Sequence, residues 1–300
     1  FGMPDQRNDR PSQEQYDVFG MSHPGLKRAE NQDHFLIATL HKALAIYGTS
    51  LPRESCPLIS RPRGLIALVA DGVGGSTGGE EASQTTVATI TRYLTDAADL
   101  YTRLDPSSEA LFLEQLKASV ARSHEALLAA AGRTSGGRGM ATTLTLVMLV
   151  WPKAFIVHVG DSRAYRLRDG HLELVTRDQT MAQAMVDAGA ITPEQAEASH
   201  LKHVLWSAVG GREAAPEVKT LDCELSDMML VCTDGITKHV SDDEIREHLL
   251  TLPTSEAVCR ALTNLALERG GSDNITVVAG RIRPHGSAPG AGGGLPAGRR

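Results

Sequence analysis

The stretch TTLTLVMLVWPKAFIVHVG, residues 142 to 160, decides the fold class. It contains two apolar runs rich in β-branched residues, at 142–150 and 154–160, separated only by the few residues of WPKA. Because parallel strands need a crossover of a dozen or more residues, this connection predicts an antiparallel hairpin. The segment AYRLRDGHLELVT predicts a second hairpin, which turns at Asp169-Gly170. Antiparallel pairing is therefore expected.

Strands and helices are grouped along the rest of the chain rather than strictly alternating. Further strands are predicted at 65–70, 228–233 and 274–282, each bounded by Gly, Asp or Pro. Helices are predicted from Gly79 toward Leu94, from Asp105-Pro106 to Gly132, from a capping box at Ser241, and from about Ser255 to Gly270-Gly271. This order predicts an α+β fold with a central antiparallel sheet system and flanking helices.

The longest of these helices has an amphipathic pattern. Its buried face is expected to carry four apolar side chains, those of Leu111, Leu116, Val120 and Leu127.

The composition excludes several classes of protein. The chain has 300 residues, an apolar fraction of 41% and a formal charge of -6, so it has no extended basic surface for nucleic acid or an anionic membrane. Four cysteines without a C-x-x-C pair indicate neither a disulfide framework nor a zinc site. No membrane span or signal peptide is recognisable. We expect a cytoplasmic monomer.

The domain organisation is predicted from the two ends of the chain. Residues 1–15 are polar and residues 284–300 are rich in Gly, Pro and Ala, so both are expected to be flexible extensions. Residues 16–283 are expected to form one domain. The sequence begins at Phe1 rather than Met, so we expect it to be a cleaved or truncated form.

The glycine-rich stretch VADGVGGSTGGEEAS, residues 69–83, is compatible with three chemistries. A dinucleotide fingerprint fails, because Thr77 stands where the third glycine belongs. The G-x-S-x-G pattern around Ser76 is that of a serine hydrolase, although Ser76 does not directly follow the strand. The third chemistry is metal binding by Asp71, with Gly72 allowing close approach of the backbone carbonyl.

Aspartates at strand ends recur, which favours the third chemistry. Asp234-Gly235 follows an apolar strand as Asp71-Gly72 does, Asp161 lies at the end of another, and Asp273 and Asp33 come just before apolar runs. If the strands pack side by side, these carboxylates converge and repel each other, and divalent cations are their natural neutralisation. A site made only of oxygen ligands favours Mg²⁺ or Mn²⁺ over zinc.

Six segments together resemble a known family. RAENQD, VADGVGGSTGGEEAS, GMATTLTLV, VGDSRAYRL, LVCTDGI and GGSDNITVV occur in the order and approximate spacing of the motifs of PPM/PP2C-type metal-dependent protein serine/threonine phosphatases. The resemblance covers about residues 16 to 282. It implies a β-sandwich of two antiparallel sheets flanked by helix pairs. It also implies hydrolysis of phosphoserine and phosphothreonine at a binuclear Mg²⁺/Mn²⁺ centre.

The resemblance assigns metal ligands residue by residue. Asp71 resembles the carboxylate that bridges both ions, and the Gly72 carbonyl resembles a ligand of one of them. Asp234 and Asp273 resemble ligands of the other ion. Asp161, with Asp234, resembles the pair that binds a third ion in bacterial members.

The resemblance also implies two other roles and contains two departures. Asp33 resembles the acid that holds a metal-bound water, and Arg28 resembles the phosphate-binding arginine, whose planar fork suits a phosphoryl group. Val73 stands where some members carry a histidine that protonates the leaving group. Gln32 replaces a glutamate, which alters a water-mediated metal contact.

Neighbouring residues have more ordinary interpretations as well. His34, His158 and His239 are expected to be packed or hydrogen-bonded rather than ligands. Residues 178–212 resemble the family's substrate flap or are an ordinary helical cover; its candidate residues are Thr180, Thr192, Gly210 and Gly211. Residues 41–64 form a solvated loop or receive acidic partners through three arginines, Arg53, Arg61 and Arg63.

Two functions from different classes are therefore compared. A catalytically silent member acting as a binding module would usually have lost a direct ligand, whereas Asp71, Asp234 and Asp273 are all present. The enzyme is favoured, and its expected substrates are phosphorylated proteins, including a bacterial Ser/Thr kinase or its targets.

Overall fold

The computed structural model describes residues 11–41, 63–73, 78–96, 106–132 and 140–283. The strands are β1 (Tyr16–His23), β2 (Asp33–Leu40), β3 (Gly64–Val73), β4 (Ala141–Thr142), β5 (Leu144–Val150), β6 (Lys153–Val159), β7 (Arg163–Arg168), β8 (His171–Leu174), β9 (Glu217–Asp222), β10 (Met228–Cys232) and β11 (Ile275–Ile282). The helices are α1 (Gly78–Asp96), α2 (Pro106–Ala131), α3 (Met181–Asp187), α4 (Pro193–Ala198), α5 (Asp234–Thr237), α6 (Asp242–Thr251) and α7 (Ser255–Glu268). Short 3-10 turns span Gln13–Gln15 and His200–His203.

The strands form two antiparallel sheets. One has the order β1-β11-β10-β7-β8, and the other has the order β2-β3-β5-β6-β9, with β4 beside β3. Helices α1 and α2 share a core with the second sheet, whereas α6 and α7 share a core with the first. The predicted α+β sandwich is confirmed.

Alternation along the strands separates three apolar layers. On β3, Leu68 belongs to the core beneath α1 and α2, whereas Val69 belongs to the layer between the sheets. On β11, Val277 faces α6 and α7 while Val278 lies between the sheets. Successive side chains of a strand point to opposite faces, so each central strand contributes to two cores at once.

Both predicted hairpins are present. Val150 pairs with Lys153 across the first turn, which joins β5 to β6. In the second hairpin, Asp169 and Gly170 have φ angles of 50° and 78°, the left-handed pair that a tight hairpin between right-twisted strands requires.

One predicted core residue is wrong. The Leu111 side chain is 49% exposed, and its place in the core is taken by Phe112, which is fully buried with Leu116, Val120 and Leu127. The reason is the helical period, because position 112 lies one turn before 116 whereas 111 lies about 140° around the helix.

Three other details differ from the sequence prediction. The predicted strand at 142–150 is interrupted at Thr143 between β4 and β5. Strands β1 and β9 lie outside the predicted runs; both are edge strands, whose partly exposed residues weaken the apolar pattern.

Several predictions fall outside the described residues. They concern the flexible extension over 1–10, most of the loop 41–64 with Arg53 and Arg61, the Ser76 nucleophile, and the tail 284–300. Within the described ranges, no helix combines the length and hydrophobicity needed to cross a bilayer.

The two leucines of α2 provide a test of the packing. We expect Leu116→Ala to lower the free energy of unfolding by about 2 to 5 kcal/mol, because it leaves a cavity in the core. Leu111→Ala is the control and should cost less than about 1 kcal/mol, because its side chain is half-exposed. Urea unfolding measures both; equal costs would contradict the assigned face of α2.

Candidate metal centre

Four predicted aspartates line one cleft at an end of the sandwich. The cleft has a volume of about 870 Å³, and its walls include Asp71, Asp161, Asp234 and Asp273. Asp33 lies beneath it, 4% exposed and directly opposite Asp71 in the β2–β3 pairing. The structure therefore brings all five acidic residues to the same end of the two sheets.

The antiparallel topology explains this convergence. Asp71 lies two residues before the end of β3, and its neighbour β2 begins at Asp33, so the two residues pair. Asp234 follows β10, whose antiparallel partner β11 begins just after Asp273. In an antiparallel pair, the end of one strand lies beside the start of the next. Residues at strand ends that are far apart in sequence thus meet in space.

Glycines after two of these aspartates allow close backbone contacts. A β-carbon on Gly235 would lie 1.9 Å from the carbonyl oxygen of Asn274. A β-carbon on Gly72 would lie 2.3 Å from the carbonyl oxygen of Gly79, at the start of α1. Any side chain at either position would push the aspartate-bearing backbone away from its neighbour.

Asn274 holds the loop that carries Arg28. Its Nδ2 donates hydrogen bonds of 2.9 Å to the carbonyl oxygens of Pro24 and Glu30, and its Oδ1 accepts one from the Gln32 amide. Asn274 was not among the predicted site residues. The sequence feature that could have identified it is its position directly after Asp273 in the SDN motif, since an asparagine side-chain amide can both donate and accept hydrogen bonds.

Hydrogen bonds with threonine hydroxyls hold two of the aspartates in position. The Asp71 amide donates to Thr143 Oγ1 at 3.0 Å, and Thr142 Oγ1 donates to the Asp71 carbonyl at 2.8 Å. Thr233 Oγ1 donates to Asp33 Oδ2 at 2.8 Å. These bonds set the positions of the strand ends before any ion or substrate arrives.

Burial changes the proton affinity of most of the acids. It raises the pKa values of Asp71 and Asp161 well above the ordinary range, and neighbouring carboxylates add to the effect. Burial also raises the pKa of Asp234, although a nearby ammonium group partly offsets it. The pKa of Asp33 rises to about 7, again chiefly through burial, although two threonine hydroxyls partly offset it.

Two cations lie among the acids. Arg28 forms a bidentate pair with Asp273, with Nε–Oδ1 and Nη2–Oδ2 distances of 2.7 and 2.9 Å. Lys238 Nζ lies 2.6 Å from Asp234 Oδ2 and 2.7 Å from Asp273 Oδ2. Burial alone would raise the pKa of Asp273, but the bonds from Arg28 and Lys238 outweigh it and lower that pKa. Lys238 was not among the predicted site residues.

The donor set fits a divalent cation. Asp33 Oδ1 and Asp234 Oδ1 are buried and have no hydrogen-bond partner. Burying such oxygens costs free energy unless a hydrogen-bond donor or a cation contacts them. Carboxylate and carbonyl oxygens are the ligands that Mg²⁺ and Mn²⁺ prefer. Among the described residues, no three His, Cys, Asp or Glu side chains are already grouped to hold an ion. Some carboxylate oxygens are instead held by Arg28 and Lys238.

The histidines are packed or hydrogen-bonded, as expected. His158 is buried between a threonine hydroxyl and a backbone carbonyl, and burial lowers its pKa to about 4. A ring nitrogen of His34 bonds to Ser83, and one of His239 bonds to Ser272.

Residues 178–212 border the cleft. Thr180 caps α3 and Thr192 forms a capping box on α4, as its Thr-Pro sequence predicts. Gly210 has a φ of 81°, and a β-carbon there would meet the Met140 carbonyl at 2.2 Å. The amide of Gly211 bonds back to Ala208.

Several residues of this segment line the cleft without having been singled out from the sequence. Among them are His203, Trp206 and Arg212. They have no motif of their own, so their proximity to the aspartates is visible only in the folded chain.

Known proteins share this sequence and fold. A family model described as protein phosphatase 2C matches residues 58–271. The serine/threonine protein phosphatase PstP of Mycobacterium tuberculosis is 37% identical over 218 residues, which cover 73% of this chain and 40% of PstP. The protein phosphatase PhpP of Streptococcus pneumoniae is 30% identical over 223 residues, covering 73% of this chain and 86% of PhpP.

A solved structure of the PstP catalytic domain, in complex with two manganese ions, resembles the whole sandwich. The TM-score is 0.69 at 32% identity, covering 90% of this chain and 99% of that one. The aligned part of the present chain thus spans well under half the length of full PstP but nearly all of its catalytic domain.

The contact at Gly235 can be tested by a single methyl group. Gly235→Ala should lower the free energy of unfolding by about 1 to 3 kcal/mol or more, because the new β-carbon collides with the rigid Asn274 backbone. Gly132→Ala is the control, because its β-carbon would meet only ordinary contacts at 3.6 Å. Thermal unfolding in EDTA compares the variants, and similar melting temperatures would refute the close approach.

Proposed function

The chain belongs to the protein phosphatase 2C family, and on this premise we propose that it hydrolyses phosphoserine and phosphothreonine in proteins with metal-activated water. The observation that carries the proposal is the convergence of four aspartates and Arg28 on one cleft, with buried carboxylate oxygens left unpaired. The full activity and the substrates are proposed, because the chain spans only part of PstP.

The proposed ligands are those named from the sequence. Asp71 would be a ligand of two ions and the Gly72 carbonyl a ligand of one of them, while Asp234 and Asp273 would be ligands of the other. Asp161, with Asp234, would hold a third ion. Bound Mn²⁺ or Mg²⁺ lowers the pKa of water and stabilises charge on phosphoryl oxygens. The two manganese ions of the PstP catalytic domain support the proposal of a centre with two ions.

Asp33 is proposed to orient the attacking water. Thr233 already holds its Oδ2, so the unpaired Oδ1 is the atom that can accept a hydrogen bond from that water.

Arg28 is proposed to bind the phosphoryl group. Its side chain is 56% exposed at the cleft edge, and its planar fork makes two parallel bonds to a carboxylate. The same fork suits two phosphoryl oxygens.

Val73, which is 40% exposed in the cleft, has no side-chain proton to donate to the leaving group. We therefore propose that the leaving alkoxide takes its proton from water held near Asp161.

The remaining alternatives rank lower. A silent binding module is disfavoured because all the proposed ligand carboxylates are present in the cleft. The hydrolase alternative stays a prediction, because Ser76 lies outside the described residues.

We further propose phosphorylated protein substrates, a bacterial Ser/Thr kinase or its targets among them. A monomer in the cytoplasm is also a prediction.

Phosphate release from a phosphothreonine peptide tests the proposal. The wild-type chain should be active with Mn²⁺ and inactive with EDTA, and Asp234→Asn should lose at least about 100-fold in kcat/KM because a proposed metal ligand is gone. Asp243→Asn, at an exposed aspartate of α6, is the control and should keep full activity. Ser76→Ala should also keep it.

Two results would count against a metal-dependent phosphatase. Inactivity of folded, Mn²⁺-saturated protein on several phosphopeptides favours the binding module. Activity that survives EDTA but is lost in Ser76→Ala favours the serine hydrolase.

Metal binding should strengthen as the pH rises. Burial raises the pKa of Asp33 to about 7, so this carboxyl is largely protonated in the metal-free chain at pH 6, and burial also raises the pKa values of Asp71, Asp161 and Asp234. Ions compete with those protons, so saturating Mn²⁺ should raise Tm more at pH 8 than at pH 6. Scanning calorimetry at both pH values measures this, and an equal or smaller shift at pH 8 would contradict the raised pKa values.

A further inference from the structure

Lys238 is a cation built into the proposed metal centre. Its Nζ contacts one carboxylate oxygen of Asp234 and one of Asp273, at 2.6 and 2.7 Å. Both oxygens are the Oδ2 atoms of residues proposed to bind the same ion. The ammonium group thus lies between the same two carboxylates that are proposed to bind that ion.

The fold holds Lys238 in this position. It lies four residues after Asp234, at the end of the short helix α5, and its amide donates to the Asp234 carbonyl at 2.8 Å. Side chains four apart share one face of a helix. Its side chain is only 22% exposed, so the ammonium lies inside the cleft wall rather than on the open surface.

The surrounding charges favour a charged lysine. Burial acts to lower the pKa of Lys238, but Asp234 and Asp273 more than offset it, and the pKa is raised. Arg28 is the other cation on Asp273. No ion pair between described residues involves Asp71, so both cations lie on the Asp234 and Asp273 side of the cluster and none is paired with Asp71.

We propose that Lys238 is a resident counter-cation that competes with one divalent ion for Asp234 and Asp273. The inference rests on the metal centre proposed above. It divides that centre into two unequal sites: a site on Asp71 and the Gly72 carbonyl that no lysine obstructs, and a site on Asp234 and Asp273 that binds its ion only by displacing Nζ.

The consequence is a centre that fills in two stages. The ion at Asp71 binds first, because it meets carboxyl and carbonyl oxygens and displaces no ammonium group. The ion at Asp234 and Asp273 binds later and more weakly, because it must overcome an existing charge-assisted pair. Occupancy of the weaker site would then follow the concentration of free Mn²⁺, and the metal-free chain would be stabilised meanwhile by its own lysine.

Calorimetric titration of the full chain with Mn²⁺ tests the competition. Lys238→Met keeps the length of the side chain but removes the charge, and the Kd of the weaker site should fall at least tenfold. Lys238→Arg should keep a weak second site. Lys202→Met is the matched control, because Lys202 lies nearby but pairs with Glu197 rather than with a proposed ligand; its Kd should change less than threefold.

Melting in EDTA provides a second readout that needs neither metal nor activity. Lys238→Met should lower the metal-free Tm by several degrees, because two carboxylates then face each other with one cation fewer, whereas Lys202→Met should not. Mn²⁺ should restore the Tm of Lys238→Met to at least that of the wild type.

The outcomes separate this inference from the proposed function. A Kd for Mn²⁺ that is unchanged or raised in Lys238→Met overturns the competition, whatever the enzyme does. An unchanged metal-free Tm in that variant overturns the counter-cation role. Tighter Mn²⁺ binding in Lys238→Met supports the inference even if neither protein releases phosphate, and in that case only the proposed phosphatase activity fails.

Discussion

Repulsion between carboxylates at one end of the sandwich is the constraint on which the site depends. Asp71, Asp161 and Asp234 are buried or nearly so around one cleft, where water screens their charges poorly. Raised pKa values show the cost of keeping them ionised there. Such a cluster persists only if cations or protons neutralise it, so every nearby feature either holds an acid in place or supplies positive charge.

The two sheets supply the rigidity that the cluster needs. Three apolar layers fix the strands that end at the acids, and hydrogen bonds from threonines continue that rigidity to the carboxylates themselves. Glycines complete the arrangement, because Gly72 and Gly235 allow backbones to approach more closely than any side chain permits. A strained or loose scaffold would let the acids separate and relieve their repulsion, and the affinity for ions would be lost with it.

Positive charge reaches the cluster from two directions. Arg28 lies on the loop that Asn274 holds by hydrogen bonds, and Lys238 lies at the end of the helix that starts at Asp234. The proposed divalent ions are the third source. In this view the metal-free and metal-loaded states are alternative ways of neutralising the same oxygens, and Lys238 sets the balance between them.

The sequence by itself determined the fold class, because a connection of three residues between the apolar runs 142–150 and 154–160 allows only antiparallel pairing. It also predicted which acids converge, since an aspartate beside the end of an apolar run is a local pattern. It did not identify Phe112 rather than Leu111 as the core residue, and it missed Lys238, Asn274 and Trp206. Those assignments depend on distances between segments far apart in the chain or on the exact phase of a helix. Only the packed tertiary structure decides which cation lies against which carboxylate, because that contact is a property of the cleft and of no single motif.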